Sequence, residues 1–343
     1  MKHIAQRRAA LVETRNRCLW RVAVVMQPLL INWHPVAART PGDHPTVTFV
    51  RLAADSVVIS DGGLATELEA RGHDLTDRLW SARLLTDAPQ EITAVHAEYF
   101  RAGATIATTA SYQASFDGFA AHGIGRDGAV ALLRRSVELA ATARDEAGTA
   151  GLLVAASVGP YGAALADGSE YRGRYGLSVR ALTRWHRPRL EVLAAAGADV
   201  LALETIPDVD EAEALVSLVR QVGVPAWLSY TIEGTRTRAG QPLADAFAVA
   251  AGVPEIVAVG VNCCAPDDVL AAVTCADVGK PVIVYPNSGE HWDSRHRSWV
   301  GPRRFSGELA AQWVAAGARI VGGCCRVGPA DIAELRRALA VEA

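Results

Sequence analysis

The sequence predicts an α/β fold in one domain, a (β/α)8 TIM barrel, and three observations carry that expectation. From Val57 onward, eight short apolar runs alternate with longer helical patterns. The runs are β-branched and apolar throughout, as parallel strands covered on both faces must be. The repeat fills about 285 residues, near the ~250 of a usual (β/α)8 barrel. A doubly wound open sheet shares this alternation and is the second choice of fold.

In chain order the strands are expected over 57–60, 105–109, 152–158, 200–204, 226–231, 257–262, 282–285 and 320–322. Helices are expected over 91–102, 128–146, 178–196, 210–222, 243–251, 267–278, 308–316 and 330–339, where apolar residues recur every three or four positions. Three junctions rhyme: Ala102-Gly-Ala-Thr105, Ala196-Gly-Ala-Asp199 and Ala316-Gly-Ala-Arg319. Each places Gly just past a helix end, where a left-handed residue lets the chain turn into the next strand.

Residues 1–54 differ, being rich in Arg and His with no periodicity, and read as a loosely ordered N-terminal extension to a barrel over 55–343. Arg15 to Arg17 followed by Leu19 to Ile31 faintly resembles a signal peptide, but Arg21, Gln27 and Pro28 interrupt the apolar stretch. The net charge of −3 gives no basic excess, which argues against nucleic acid as a partner. No apolar run approaches the ~18 residues of a membrane span, so no membrane partner is expected. Six cysteines in 343 residues, four of them in two adjacent pairs, suit metal-binding or reactive thiols in a reducing cytoplasm better than a disulfide framework.

In a barrel, chemistry sits where strands run out into helices. The polar and thiol residues at those ends are Asp61, Thr109, Gly159, Glu204, Asn262 with Cys263, Asn287, and Cys324 with Cys325. Three strand-end thiols, Cys263, Cys324 and Cys325, suggest a three-sulfur zinc site whose fourth position is open to substrate. Adjacent residues on a regular strand face opposite sides. The Cys324–Cys325 pair can therefore share an ion only past the strand end, where Gly322-Gly323 loosens the backbone. The same alternation lets only one of Cys263 and Cys264 point inward. Two buried structural cysteines, packed as small hydrophobes, are the competing reading of the pair. Cys275 lies in a helical pattern and reads as core; Cys18 carries no assignment.

Five segments in order at strand ends resemble the homocysteine S-methyltransferases. They are Asp61-Gly-Gly-Leu-Ala-Thr-Glu-Leu68, the segment from Gly159 to Tyr171, Gly260-Val-Asn-Cys263, Tyr285-Pro-Asn-Ser-Gly289 and Gly322-Gly-Cys-Cys-Arg326. The resemblance runs from Val57 to the C-terminus and is greatest to the branch using S-methylmethionine or S-adenosylmethionine. It implies a zinc-containing (β/α)8 barrel that methylates homocysteine to methionine. Its zinc thiolates fall on Cys263, Cys324 and Cys325, and its homocysteine-binding acids on Asp61 and Glu204. The sequence departs from the family where Cys264 doubles a usual single Cys and before Val57.

A protonated thiol is a poor nucleophile, and zinc binding deprotonates it at neutral pH. A sulfonium donor would then pass its methyl to the homocysteine sulfur in line. The substrate's ammonium calls for the anions Asp61 and Glu204. Backbone N–H groups of Gly62 and Gly63 are expected to hold its carboxylate, with Thr109 and Asn262 as further substrate contacts. The Gly159–Tyr171 segment reads as a loop over the barrel mouth, offering Tyr161 or Tyr171 to the sulfonium.

Two patterns carry no function. Gly123-Ile-Gly-Arg-Asp-Gly128 matches a dinucleotide fingerprint but follows no predicted strand. His291, Trp292, Asp293, His296 and Trp299 read as a polar loop. Alternatives to homocysteine methylation are methylation of a related thiol or selenol, and a non-catalytic zinc-binding thiol protein.

Overall fold

A computed structural model describes residues 56–76, 79–293 and 298–339. The expectations for residues 1–54, Cys18 and His296 fall outside the described residues. The eight strands are β1 (Val58–Ile59), β2 (Ile106–Thr108), β3 (Leu153–Val158), β4 (Val200–Ile206), β5 (Ala226–Tyr230), β6 (Ile256–Asn262), β7 (Val282–Tyr285) and β8 (Ala318–Val321). They pair in parallel in chain order, and β8 returns to β1 through Val58↔Ile320 and Ile59↔Val321. A bridge between Ser60 and Ile106 joins β1 to β2. There the Thr105 N–H donates to the Ile59 carbonyl at 2.6 Å and the Asp61 N–H to the Ile106 carbonyl at 3.1 Å. The sheet is therefore closed, and the open doubly wound alternative is excluded.

Eight helices cover it: α1 (Pro89–Ala102), α2 (Arg126–Ala147), α3 (Val179–Ala194), α4 (Val209–Val222), α5 (Leu243–Ala248), α6 (Pro266–Cys275), α7 (Gly307–Ala316) and α8 (Pro329–Ala338). The three rhyming glycines, Gly103, Gly197 and Gly317, all have positive φ, of 107°, 88° and 123°. Left-handed backbone ends the helix there and turns the chain toward the next strand, as the sequence predicts.

Period-two alternation sorts each strand between two cores. Leu153, Ala155, Val200, Ala202, Trp227, Ala258, Ile283 and Ile320 pack inside the barrel. Their neighbours Val154, Ala156, Leu201, Leu203, Leu228, Val259, Val284 and Val321 pack against the helices. Continuing the inward set to the strand ends reaches Ser157, Glu204, Ser229, Asn262 and Tyr285. All five are buried, so the barrel interior turns polar at its C-terminal end.

The sequence missed the short elements in the loops. Helices Leu64–Ala70, Phe116–Ala121 and Tyr161–Leu165 lie in segments read as loop. Five to seven residues show too little of the 3.6 period to be seen, and packing rather than propensity holds them. Two antiparallel hairpins, Ile232–Glu233 with Arg236–Thr237 and His291–Asp293 with Ser298–Val300, follow β5 and β7. The second occupies part of the stretch expected to be a polar loop. The Gly123–Gly128 string links two helices, Phe116–Ala121 and α2, with no strand before it.

Candidate metal centre and active site

The three predicted sulfurs meet. Cys263, Cys324 and Cys325 bring their Sγ atoms within 4.8 Å of one another, and Cys263 and Cys325 are 3.8 Å apart. A tetrahedral ion at ~2.3 Å from sulfur would space its ligand sulfurs about 3.8 Å apart, so the cluster has the dimensions of a metal site. Cys263 has φ +51°, a left-handed backbone that breaks the alternation of β6. Its sulfur turns to the site while Cys264 turns away into the hydrophobic core. That geometry answers the choice between the two, and Cys275 packs against the core as expected.

The loop after β7 holds the cysteines in place. The Cys263 N–H donates to the Tyr285 carbonyl at 3.2 Å and the Cys324 N–H to the Pro286 carbonyl at 2.8 Å. The Cys325 N–H donates to Asn287 Oδ1 at 3.1 Å. Strand β8 ends at Val321, so both members of the pair lie past the strand, as a shared ion requires. Hydrogen bonds from Cys324 and Cys325 pull the Cys263 thiol well below its ordinary range. Their hydrogen bonds to Cys263, with burial and its charge, push Cys324 and Cys325 well above theirs. Once Cys263 is ionised, the two sulfurs crowded beside it resist ionising, and a cation among the three would relieve that.

Above the cysteines is a cavity of about 340 Å³. Asp61 and Glu204 stand on its wall, 3% and 7% exposed. Burial raises Asp61 to about 7, against hydrogen bonds from the Thr108 N–H at 2.6 Å and the Thr108 hydroxyl at 2.9 Å. Burial likewise raises Glu204 to about 8, against a short hydrogen bond from the Ser157 hydroxyl. Two cavity-lining carboxyls whose charge burial disfavours would ionise more readily with a cation beside them. Trp80, Tyr112 and Tyr171 also line the cavity. Trp80 and Tyr112 pack edge to face at 6.1 Å.

Some assignments change. The Gly63 N–H donates to the Val327 carbonyl at 2.9 Å and is not available to a substrate carboxylate. Gly63 serves close packing instead, since a Cβ there would lie 2.6 Å from the Cys324 carbonyl oxygen. Gly62 lines the cavity, and among the described residues its N–H has no protein acceptor. Thr109 lines the cavity too, but its hydroxyl meets Ser111 Oγ at 2.8 Å and accepts from the Ser157 N–H at 3.0 Å. Asn262 stands off the cavity wall. Its Oδ1 accepts from the Thr205 N–H at 2.7 Å and the Ser229 hydroxyl at 2.8 Å, and its amide donates to Thr205 Oγ1 at 2.8 Å. Asn262 therefore clamps the ends of β4, β5 and β6 together. Of the two loop tyrosines, Tyr171 reaches the site, its hydroxyl 3.1 Å from Cys263 Sγ. Tyr161 instead packs on Tyr175 and Trp185, with ring centroids at 5.2 and 5.0 Å.

Sequence reasoning missed Trp80, Tyr112 and Thr66. Tyr112 follows β2 by four residues, so the strand-end rule could have found it. Trp80 sits in a long connection at φ +51° and gave no signal. The Thr66 hydroxyl accepts from the Arg326 N–H at 2.8 Å across 260 positions, a contact no local pattern reveals.

Known proteins resemble this chain in sequence and fold. The homocysteine S-methyltransferase family description matches residues 58–339. Homocysteine S-methyltransferase of Escherichia coli (strain K12) is 49% identical over 299 residues, covering 83% of this chain and 96% of that protein. Selenocysteine Se-methyltransferase of Brassica oleracea var. italica is 41% identical over 305 residues, 82% of this chain and 88% of that one. The metallated form of the homocysteine methyltransferase MmuM from Escherichia coli superposes with a TM-score of 0.77 at 45% identity, over 85% of this chain and 99% of that one. With a closed barrel, clustered thiols and a matched family description over its whole barrel, the chain belongs to the homocysteine S-methyltransferase family.

Proposed function

We propose that the chain holds zinc on Cys263, Cys324 and Cys325 and transfers a methyl group from S-methylmethionine or S-adenosylmethionine to homocysteine, forming methionine. The observation that carries this reading is the three-sulfur cluster, spaced within 4.8 Å, on the wall of a cavity that also bears Asp61 and Glu204. Soft thiolates in tetrahedral spacing favour zinc over harder ions. Zinc bound there supplies Lewis acidity that keeps the substrate thiol ionised at neutral pH.

The chain's own residues do the rest. Asp61 and Glu204 bind the homocysteine ammonium, whose charge offsets the cost of ionising them in a buried site. The Gly62 N–H, with no protein acceptor among the described residues, donates to the substrate carboxylate. The rings of Trp80, Tyr112 and Tyr171 offer π faces to the sulfonium of the donor. The sulfur lone pair of homocysteine forms the new S–C bond as the donor's C–S⁺ bond breaks. The donor's positive charge and the thiolate's negative charge cancel, and two neutral thioethers result. The aromatic rings lose their attraction for the donor's sulfur once its sulfonium charge is gone.

A selenol acceptor at the same cysteines is the second reading, favoured by the 41% identity to the selenocysteine enzyme. The deciding assay supplies metal-loaded protein with homocysteine or selenocysteine and each donor in turn, and measures the methylated product by mass spectrometry. Methionine from homocysteine is expected. Metal-replete protein that makes no methionine with either donor contradicts the reading and leaves a zinc-binding protein without turnover.

A further inference from the structure

Behind the β3 loop lies a charged cluster that no step above uses. His186, Arg189 and Glu211, from α3 and α4, are at most 1% exposed. Glu211 Oε1 accepts from His186 Nε2 at 2.7 Å and from the Tyr161 N–H at 2.6 Å. Arg189 Nη2 donates to His186 Nδ1 at 2.9 Å and makes a short hydrogen bond to the Gly159 carbonyl. His186 is held neutral by burial and the nearby Arg189 charge, which fits one ring nitrogen donating and the other accepting.

Contacts continue from this cluster to the metal-side sulfur. Gly159 and Tyr161 start the loop, and Tyr161–Leu165 forms a short helix. Gly162 of that helix packs on the turn Ser169–Tyr171 so closely that a Cβ there would lie 2.5 Å from the Glu170 nitrogen. The turn delivers the Tyr171 hydroxyl to Cys263 Sγ at 3.1 Å. Burying Arg189 and Glu211 on either side of a neutral His186 costs desolvation that apolar packing would avoid, which points to a task for the cluster beyond stability.

We propose that Glu211, with His186 and Arg189, is a remote positioning residue that sets Tyr171 against Cys263 through the short helix and Gly162. The functional consequence rests on the reading of this site as a zinc methyltransferase, with Tyr171 beside the donor. The hydrogen bond from Tyr171 withdraws charge from the Cys263 sulfur, so loss of it alters that sulfur's donation to a bound metal.

The test uses full-length protein loaded with cobalt(II) and follows the thiolate-to-metal charge-transfer band. Tyr171→Phe shifts the band to longer wavelength. Glu211→Gln, which keeps shape and removes charge, gives a shift in the same direction, and so does Gly162→Ala, whose Cβ would press on the Ser169–Tyr171 turn and on the Tyr175 hydroxyl. In turnover assays Glu211→Gln and Tyr171→Phe each raise the donor KM about fivefold and change the homocysteine KM less than twofold. The double variant resembles the worse single one, because the two act in series. Metal content stays unchanged throughout. The proposal is overturned where Tyr171→Phe leaves the band in place, where Tyr171→Phe moves it and Glu211→Gln does not, or where the fold-changes multiply in the double variant. Should Glu211→Gln not fold, Glu211→Asp, which shortens the reach to His186 and the Tyr161 N–H, decides in its place. The cobalt spectra need no turnover, so they test the positioning even where the assigned reaction fails.

Discussion

Glu204 shows why the place of one side chain, buried on the cavity lining, was legible. It ends β4 with inward parity, and a carboxylate at a strand end on the barrel rim has few purely structural tasks. Its partners were not legible, because Ser157 lies 47 positions away. Glu204→Gln removes a charge-assisted hydrogen bond to the substrate ammonium, about 1.5–3 kcal/mol, so the homocysteine KM is expected to rise roughly 10- to 100-fold with metal content unchanged. Steady-state kinetics with homocysteine varied checks this. Asn262 and Gly63 mark where the sequence misleads. Both lie on the predicted rim, yet Asn262 spends its amide on Thr205 and Ser229, and Gly63 spends its N–H on Val327. A sequence displays donors and acceptors but not whether the fold has already used them. Asn262→Ala leaves the buried Thr205 N–H and Ser229 hydroxyl without their acceptor. Urea unfolding is expected to show a loss of about 1–3 kcal/mol or more. A stability unchanged within 0.5 kcal/mol or so would return Asn262 to the substrate side.

At the scale of elements, the eight strands and eight covering helices were readable from period and composition, while the loop helices were not. The strands needed only β-branched runs between helical patterns. The loop helices depend on packing against distant segments. Two glycines show how closely elements approach. On β6, a Cβ at Gly260 would collide with the Ile283 carbonyl of β7, so only glycine fits between these neighbours. Gly260→Ala is expected to cost about 1–3 kcal/mol or more in urea unfolding, as overpacking of a rigid core does. At the end of β1, Gly63→Ala would press on the Cys324 carbonyl. It is expected to weaken metal binding, measured by competition with a chelator, more than it lowers stability. Equal losses in both would make Gly63 a residue of general packing only.

For the whole molecule, the closed barrel brings sulfurs from β6 and β8 to one point and buries carboxyls from β1 and β4 beside them. The rim rule made that convergence legible, although the aromatic rings from the first two loops were not. Burial of these carboxyls links stability to pH. Asp61 and Glu204, raised to about 7 and about 8, hold protons in the folded state that the unfolded chain releases near pH 4. Their stabilising contribution is therefore complete below about pH 4 and is lost as pH rises through 7 to 8. In metal-free, substrate-free protein, the Tm is expected to fall from pH 6.5 to 8.5 relative to Glu204→Gln, which carries no such proton. Parallel Tm curves for the two proteins would mean that Glu204 ionises normally.

The central claim is that three sulfurs from two distant stretches hold one ion. Metal content per chain, measured by elemental analysis on the wild type and on Cys263→Ser, Cys264→Ser, Cys324→Ser and Cys325→Ser, tests it most directly. About one zinc is expected in the wild type and in Cys264→Ser, and a loss of bound zinc in each of the other three. Full zinc occupancy in any of those three, or its loss from Cys264→Ser alone, would contradict the account.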